Sequence, residues 1–120
     1  MTVVEHSVHY LEIVTPDVEA ACRLYSTAYG WEFKEAGPEL GHAFVAELPS
    51  GGLCGIRAPM HVAEDPIVRT YLRVADIDAA AKAAADLGAE IALPPSEIPG
   101  HGKIAIYMFG GIQQGLWQLP

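Results

Sequence analysis

The 120 residues carry 15 acidic against 7 basic side chains, a formal charge of −8, with 51% hydrophobic and 18% charged residues. That composition supports one folded domain with a buried core. It argues against nucleic acid and anionic membrane surfaces as partners, since both demand a basic face. No run of about 18 apolar residues and no basic segment leading into an apolar stretch is present, so no membrane span or signal peptide is expected and the expected location is cytoplasmic. Cys22 and Cys54 lack C-x-x-C spacing and read as reduced thiols.

The first element in chain order is Val3–Val14, rich in Val and Ile, which reads as a strand. Thr15-Pro16-Asp17 is a helix start, with a hydroxyl at N-cap, proline at N1 and acid in the first turn. Val18, Ala21, Cys22, Tyr25, Ala28 and Tyr29 then recur at helical spacing, and Gly30 supplies a left-handed cap. A second strand starts at Trp31–Lys34, followed by a loop, a third strand His42–Leu48, a turn Pro49–Gly52 and a fourth strand Leu53–Ala58. Pro59–Pro66 reads as a linker without apolar period. Strand Val68–Val74, a helix from Asp76 to Leu87 capped by Gly88, and strand Ala89–Leu93 come next. The loop Pro94–Gly102 carries three prolines, and strands Lys103–Phe109 and Gln113–Leu119 flank a Gly-Gly turn.

The two halves repeat. Tyr10-Leu11-Glu12-Ile13 returns as Tyr71-Leu72-Arg73-Val74, Asp17-Val18-Glu19-Ala20-Ala21 as Asp76-Ile77-Asp78-Ala79-Ala80, and Gly51-Gly52 as Gly110-Gly111, always about 60 residues apart. One supersecondary unit is therefore used twice. Its order is βαβββ, an α+β class, with module one at about 3–58, a linker at 59–66 and module two at about 67–120. The helices bury their apolar stripe against Leu11, Ile13, Leu72 and Val74. Strand alternation then sends Tyr10, Glu12, Tyr71 and Arg73 to the opposite face, where two small curved sheets would enclose a pocket.

These motifs, with Tyr29-Gly30-Trp31-Glu32-Phe33, Leu87-Gly88-Ala89, Pro94-Pro95 and Gly115-Leu116-Trp117-Gln118, span nearly the whole chain. In order and spacing they resemble the vicinal oxygen chelate superfamily: glyoxalase I, extradiol dioxygenases, fosfomycin-resistance enzymes and bleomycin-binding proteins. The resemblance is to a hydroxylase-like or glyoxalase-like subgroup, and it implies the glyoxalase/bleomycin-resistance fold and a homodimer. Metal-dependent members place a His or Gln on the first strand of each module and a Glu on the last. Those positions fall here on Tyr10, near Gly55, on Arg69 or Tyr71, and on Gly115. Which of Arg69 and Tyr71 applies depends on whether the count runs from the helix aspartate or from the Tyr-Leu repeat. None of these side chains is a good ligand for a divalent ion, which needs three or four converging N or O donors. His6, His9, His42, His61 and His101 form no H-E-x-x-H or paired i, i+4 set and read as surface or loop residues. No cofactor is expected, a divalent metal being the alternative.

On the face opposite the helices the expected ligand-binding residues are Tyr10, Glu12, Arg57, Arg69, Tyr71, Arg73, Gly115 and Trp117. Glu12 and Arg73 hold equivalent places in this reading and would pair, while Arg57 and Trp117 are counterparts on the last strands. Gly55 and Gly115 would leave room for a ligand between aromatic walls of Tyr10, Tyr71, Tyr107, Phe44 and Trp117, with Gln113 as a polar contact. Glu12 is the one candidate catalytic residue, a general base if the aromatic surroundings raise its pKa and a structural anion if it is paired. Cys54 alternates toward the helices and reads as a buried inert thiol. The expected function is a metal-free protein that binds a small aromatic, antibiotic-like molecule. The alternative is a vicinal oxygen chelate enzyme using an unusual metal site or acid/base chemistry at Glu12.

Overall fold

The computed structural model describes residues 5–120. Its elements run β1 (Val8–Val14), α1 (Val18–Tyr29), β2 (Lys34–Glu35), β3 (Phe44–Glu47), β4 (Leu53–Arg57), β5 (Ile67–Arg73), α2 (Ile77–Asp86), β6 (Glu90–Ile98), β7 (Gly102–Phe109) and β8 (Ile112–Gln118). The order is βαβββ twice, an α+β fold. The described residues form two compact units, Tyr10–Val68 and residues 5–9 with Arg69–Pro120.

In the unit Tyr10–Val68, β1 pairs parallel with β4, and β4 pairs antiparallel with β3, which carries β2. Leu11 and Ile13 face α1, and Ile13, Cys54 and Ile56 form a buried cluster under Val18, Ala21, Cys22 and Tyr25 of the helix. Trp31 and Phe33 join this cluster. The helix begins at Val18 behind Asp17, two residues later than the Thr-Pro signal suggests. The Thr15 hydroxyl instead accepts the Asp17 amide at 3.1 Å, a local turn before the helix. Gly30 closes the helix at φ 75°, its amide donating to the Ser26 carbonyl at 2.9 Å. β3 is shorter than expected because His42 sits at φ 56°, outside the extended region.

In the other unit β5 pairs parallel with β8, and β8, β7 and β6 form an antiparallel meander. Val74, Ile77, Ala105 and Leu116 form the buried cluster beneath α2, with Leu72, Ala80 and Tyr107 packed on it. Asp76 caps this helix, accepting the Ala79 amide at 3.1 Å. The Ile77 amide, in the helix's first turn, donates to Gln118 Oε1 of β8 at 2.9 Å. The region expected to be a loop, Pro94–Gly102, is largely strand, since β6 continues through both prolines to Ile98. The strand tolerates them because its register against β7 shifts between Ile91 and Leu93 and again between Leu93 and Ser96.

Candidate functional site

The face of the β1–β4 sheet opposite α1 carries a charged cluster. Glu12 lies across from Gly55 in the ladder, which places Arg57, two residues further along β4, on its face. Arg57 Nε donates to Glu12 Oε2 at 3.0 Å. The two terminal nitrogens of the same guanidinium donate to both oxygens of Glu64, at 2.9 and 2.7 Å, and Nη1 also reaches the Ala58 carbonyl at 3.2 Å. Arg57 and Glu12 are buried. The hydrogen-bonded Glu64 and the charge of Glu12 push the Arg57 pKa above its ordinary range, against the opposing effect of burial. Beside this cluster the end of the Tyr10 ring covers Gly55, its hydroxyl and ring atoms filling the place a Cβ would take.

The second unit builds an aromatic cluster at the matching place. The Tyr71 ring covers Gly115, with Cγ and Cε2 at 2.6 and 2.7 Å from where a Cβ would stand. Trp117 meets Tyr71 edge-on at 5.6 Å between centroids and His9 at 5.3 Å, and its indole N–H donates to the His101 carbonyl at 2.8 Å. Arg69, also buried, donates through Nε and Nη2 to Gln113 Oε1 at 3.1 and 2.7 Å and through Nη1 to the Tyr71 hydroxyl at 3.4 Å. Burial first, and the Arg73 charge second, depress the His9 pKa below 6.5.

Register settles which residues correspond. Thr15 N donates to the Arg57 carbonyl and Val74 N to the Trp117 carbonyl, both at 3.0 Å, so Arg57 and Trp117 are counterparts. Glu12 stands opposite Gly55 as Tyr71 stands opposite Gly115. Arg69 is therefore the counterpart of Tyr10, and Tyr71 that of Glu12.

Four expectations are corrected. Glu12 corresponds to Tyr71 rather than Arg73, and its ion-pair partner is Arg57, since Arg57 follows on the facing strand. The backbone of Arg73 bonds with Ser7 and His6, and its side chain is half-buried. Gly55 and Gly115 do not open space for a ligand; Tyr10 and Tyr71 occupy it. Tyr107 belongs to the helix-side cluster, because alternation along β7 carries it there. The sequence reading missed Glu64 altogether. It lies in the irregular stretch between Pro59 and Pro66, where no periodicity assigns a side chain to a face.

The residues do not suit the divalent metal that the superfamily resemblance implies. Its four positions hold Tyr10, Gly55, Arg69 and Gly115: one phenol, two glycines that carry no donor and lie under the rings of Tyr10 and Tyr71, and a cationic guanidinium. Among the described residues no three His, Cys, Asp or Glu side chains converge.

Two βαβββ modules in tandem, each with its helix on one face of its strands, define the class of fold. The chain belongs to the Glyoxalase/Bleomycin resistance protein/Dioxygenase superfamily, which it matches over residues 7–111. Curated relatives include the CFP32 proteins of Mycobacterium bovis and Mycobacterium tuberculosis, provisionally named glyoxylases. Each is 26% identical over 116 residues, 92% of this chain and 44% of theirs, so the chain spans less than half their length. Similar solved folds include methylmalonyl-CoA epimerase from Mycobacterium tuberculosis, with TM-score 0.75 at 16% identity over 100% of this chain and 93% of that one. A hypothetical protein from Bacillus halodurans reaches TM-score 0.77 at 10% identity over 95% and 94%.

Proposed function

We propose that this chain binds a small organic molecule with oxygen acceptors, using its own side chains rather than a divalent metal. The occupation of the superfamily's donor positions by Tyr10, Gly55, Arg69 and Gly115 carries this reading. The buried Tyr71 and Trp117 supply aromatic walls, and the Arg69 guanidinium, held by Gln113 and Tyr71 in this structure, supplies donors that a phenolate, carboxylate or carbonyl would take over. In the same unit Arg73 adds positive charge near Trp117's neighbour His9, and in the other unit Tyr10, Glu12 and Arg57 hold the equivalent positions. The test is titration of a Trp31→Phe chain, in which Trp117 is the sole indole, with a panel of hydroxylated aromatic compounds. A saturable change in emission, abolished in Arg69→Gln, is expected. Unchanged emission across the panel rejects the reading, and one tightly held zinc, nickel or iron per chain rejects its metal-free form.

A second reading, a lyase, isomerase or oxygenase of the same superfamily with Glu12 as base, draws support from the epimerase folds among the similar structures. Against it, Glu12 Oε2 is engaged by Arg57 at 3.0 Å, so proton transfer there requires Arg57 to withdraw. Exchange of substrate deuterium by the metal-free chain, lost in Glu12→Gln, would establish it. We also propose a homodimer, favoured by the exposed Leu24 and Tyr29 of α1. Light scattering giving 12.8 kDa at high concentration would reject it.

A further inference from the structure

The segment after β4 is tied down by one carboxylate. Residues 58–66 contain no helix or strand. Glu64 lies on Arg57 as a two-point fork, and its Oε1 also accepts the Met60 amide at 2.7 Å. The Met60 methyl rests near Gly41, close to the Arg57 stem. Elsewhere the segment faces solvent: Met60 is 66% exposed, and Val62 is fully so. Val62 and much of Met60 therefore stand in water on a strap fastened by a polar clasp.

The clasp exceeds what charge balance needs. Glu12 already pairs with Arg57 through Nε at 3.0 Å, and Glu64 brings a second anion to the same buried cation. A lone buried guanidinium would be costly, but one carboxylate neutralises it. The remaining Nη1–Nη2 edge presents two parallel donors, the geometry that recognises a planar carboxylate. Glu64 is also the more accessible partner, its side chain 18% exposed against 7% for Arg57, so a competitor can approach from the strap side.

We propose that the Nη edge of Arg57 is an anchor for a ligand carboxylate, and that Glu64 occupies it as an internal stand-in that an incoming carboxylate displaces. Exchange of one carboxylate for another leaves the cluster's charge unchanged, so Glu12 and Arg57 keep their pairing. Releasing Glu64 frees the Met60 amide and lets Met60 and Val62 turn onto the apolar part of the ligand. Ligand acidity and strap movement are thereby coupled: an acid opens the strap and a neutral isostere does not. The inference rests on the small-molecule reading above and adds to it the ligand class and the gate.

The test compares benzoate with benzamide on the intact chain and on Glu64→Gln, each checked for folding by circular dichroism. Calorimetry should find benzoate bound about tenfold more tightly by Glu64→Gln, the factor expected if the strap of the unaltered chain stands open about a tenth of the time. Benzamide affinity should not change. In the unaltered chain, which needs no variant to fold, benzoate should shift the Met60 methyl resonance and speed exchange of the Met60 amide. The proposal is overturned by equal or weaker benzoate affinity in Glu64→Gln, by absence of benzoate binding, or by benzoate binding that leaves the Met60 amide protected. An emission change of Trp117 with neutral aromatic compounds alongside any of these results would retain the small-molecule reading and reject the gate alone.

Discussion

Replacing Gly55 by alanine tests whether the space above this strand glycine is filled. Its backbone needs no left-handed conformation, so alanine carries no dihedral penalty there. The new Cβ, however, would overlap the Tyr10 hydroxyl and Cζ, with Cε1 at 2.9 Å. Three atoms of one rigid ring are involved, and Tyr10 is only 4% exposed, so no flexible tip can bend aside. Either the ring leaves its rotamer or the β1–β4 pair spreads. Overpacking of this kind costs about 1–3 kcal/mol, and displacing a buried aromatic puts the expected value near the upper end, at about 2–3 kcal/mol. An unfolding entropy of about 0.25 kcal/mol/K for a chain of this length converts that to a Tm lowered by about 8–12 °C. Urea and thermal melts followed by circular dichroism measure it. In a Tyr10→Ala background the clash is gone, and the same glycine-to-alanine change should be neutral or stabilising by up to about 1 kcal/mol through the unfolded chain. A Gly55→Ala chain within about 0.5 kcal/mol of the original would refute the reasoning and restore an open space over Gly55.

Arg57→Met leaves the buried Glu12 and the half-buried Glu64 without their shared cation, and should cost about 3–5 kcal/mol in urea unfolding, well beyond Glu64→Gln. Because burial and Arg73 hold the His9 pKa below its unfolded value of 6.5, the unfolded chain binds the proton more readily. Stability from this group is present above pH 6.5 and declines as pH falls toward the folded pKa; NMR titration of His9 should show a midpoint below 6.5, and His9→Gln should flatten the stability profile in that window. Burial, and to a smaller degree the neighbouring Cys22, push the Cys54 thiol up to about 11. Iodoacetamide at pH 8 should therefore leave Cys54 unmodified in the folded chain and label it only after denaturation, as read by peptide mass spectrometry.

Much of the architecture was legible because it is written in local signals. The duplicated Tyr-Leu strands, the capping Asp76 and the left-handed Gly30 each state a backbone preference that the fold then obeys. Alternation along β1 also put Leu11 and Ile13 on the helix side and Tyr10 and Glu12 on the other. What escaped depends on register and on irregular backbone. The pairing of Glu12 follows from its place opposite Gly55, a relation between two strands that repeat spacing alone misassigned to Arg73. A strand glycine looks the same in sequence whether a ligand or a tyrosine covers it. Glu64 reaches Arg57 from a segment without period, so only three-dimensional placement identifies it. The prolines of β6 suggest a loop by their chemistry, yet a strand with a single neighbour and a broken ladder can hold them.

Those prolines also bear on how copies of the chain can meet. Among the described residues β6 has β7 on one side and no strand on the other, so its outer rim would ordinarily offer a template for another molecule's strand. Pro94 and Pro95 contribute no N–H to such a rim, and the two jumps in register kink the line of carbonyls that a second chain would have to follow. Fibrillar growth by strand addition is blocked at that border by covalent structure, independent of pH or salt. At this border, contact between whole molecules is left to side-chain surfaces, where it can be reversible and closed.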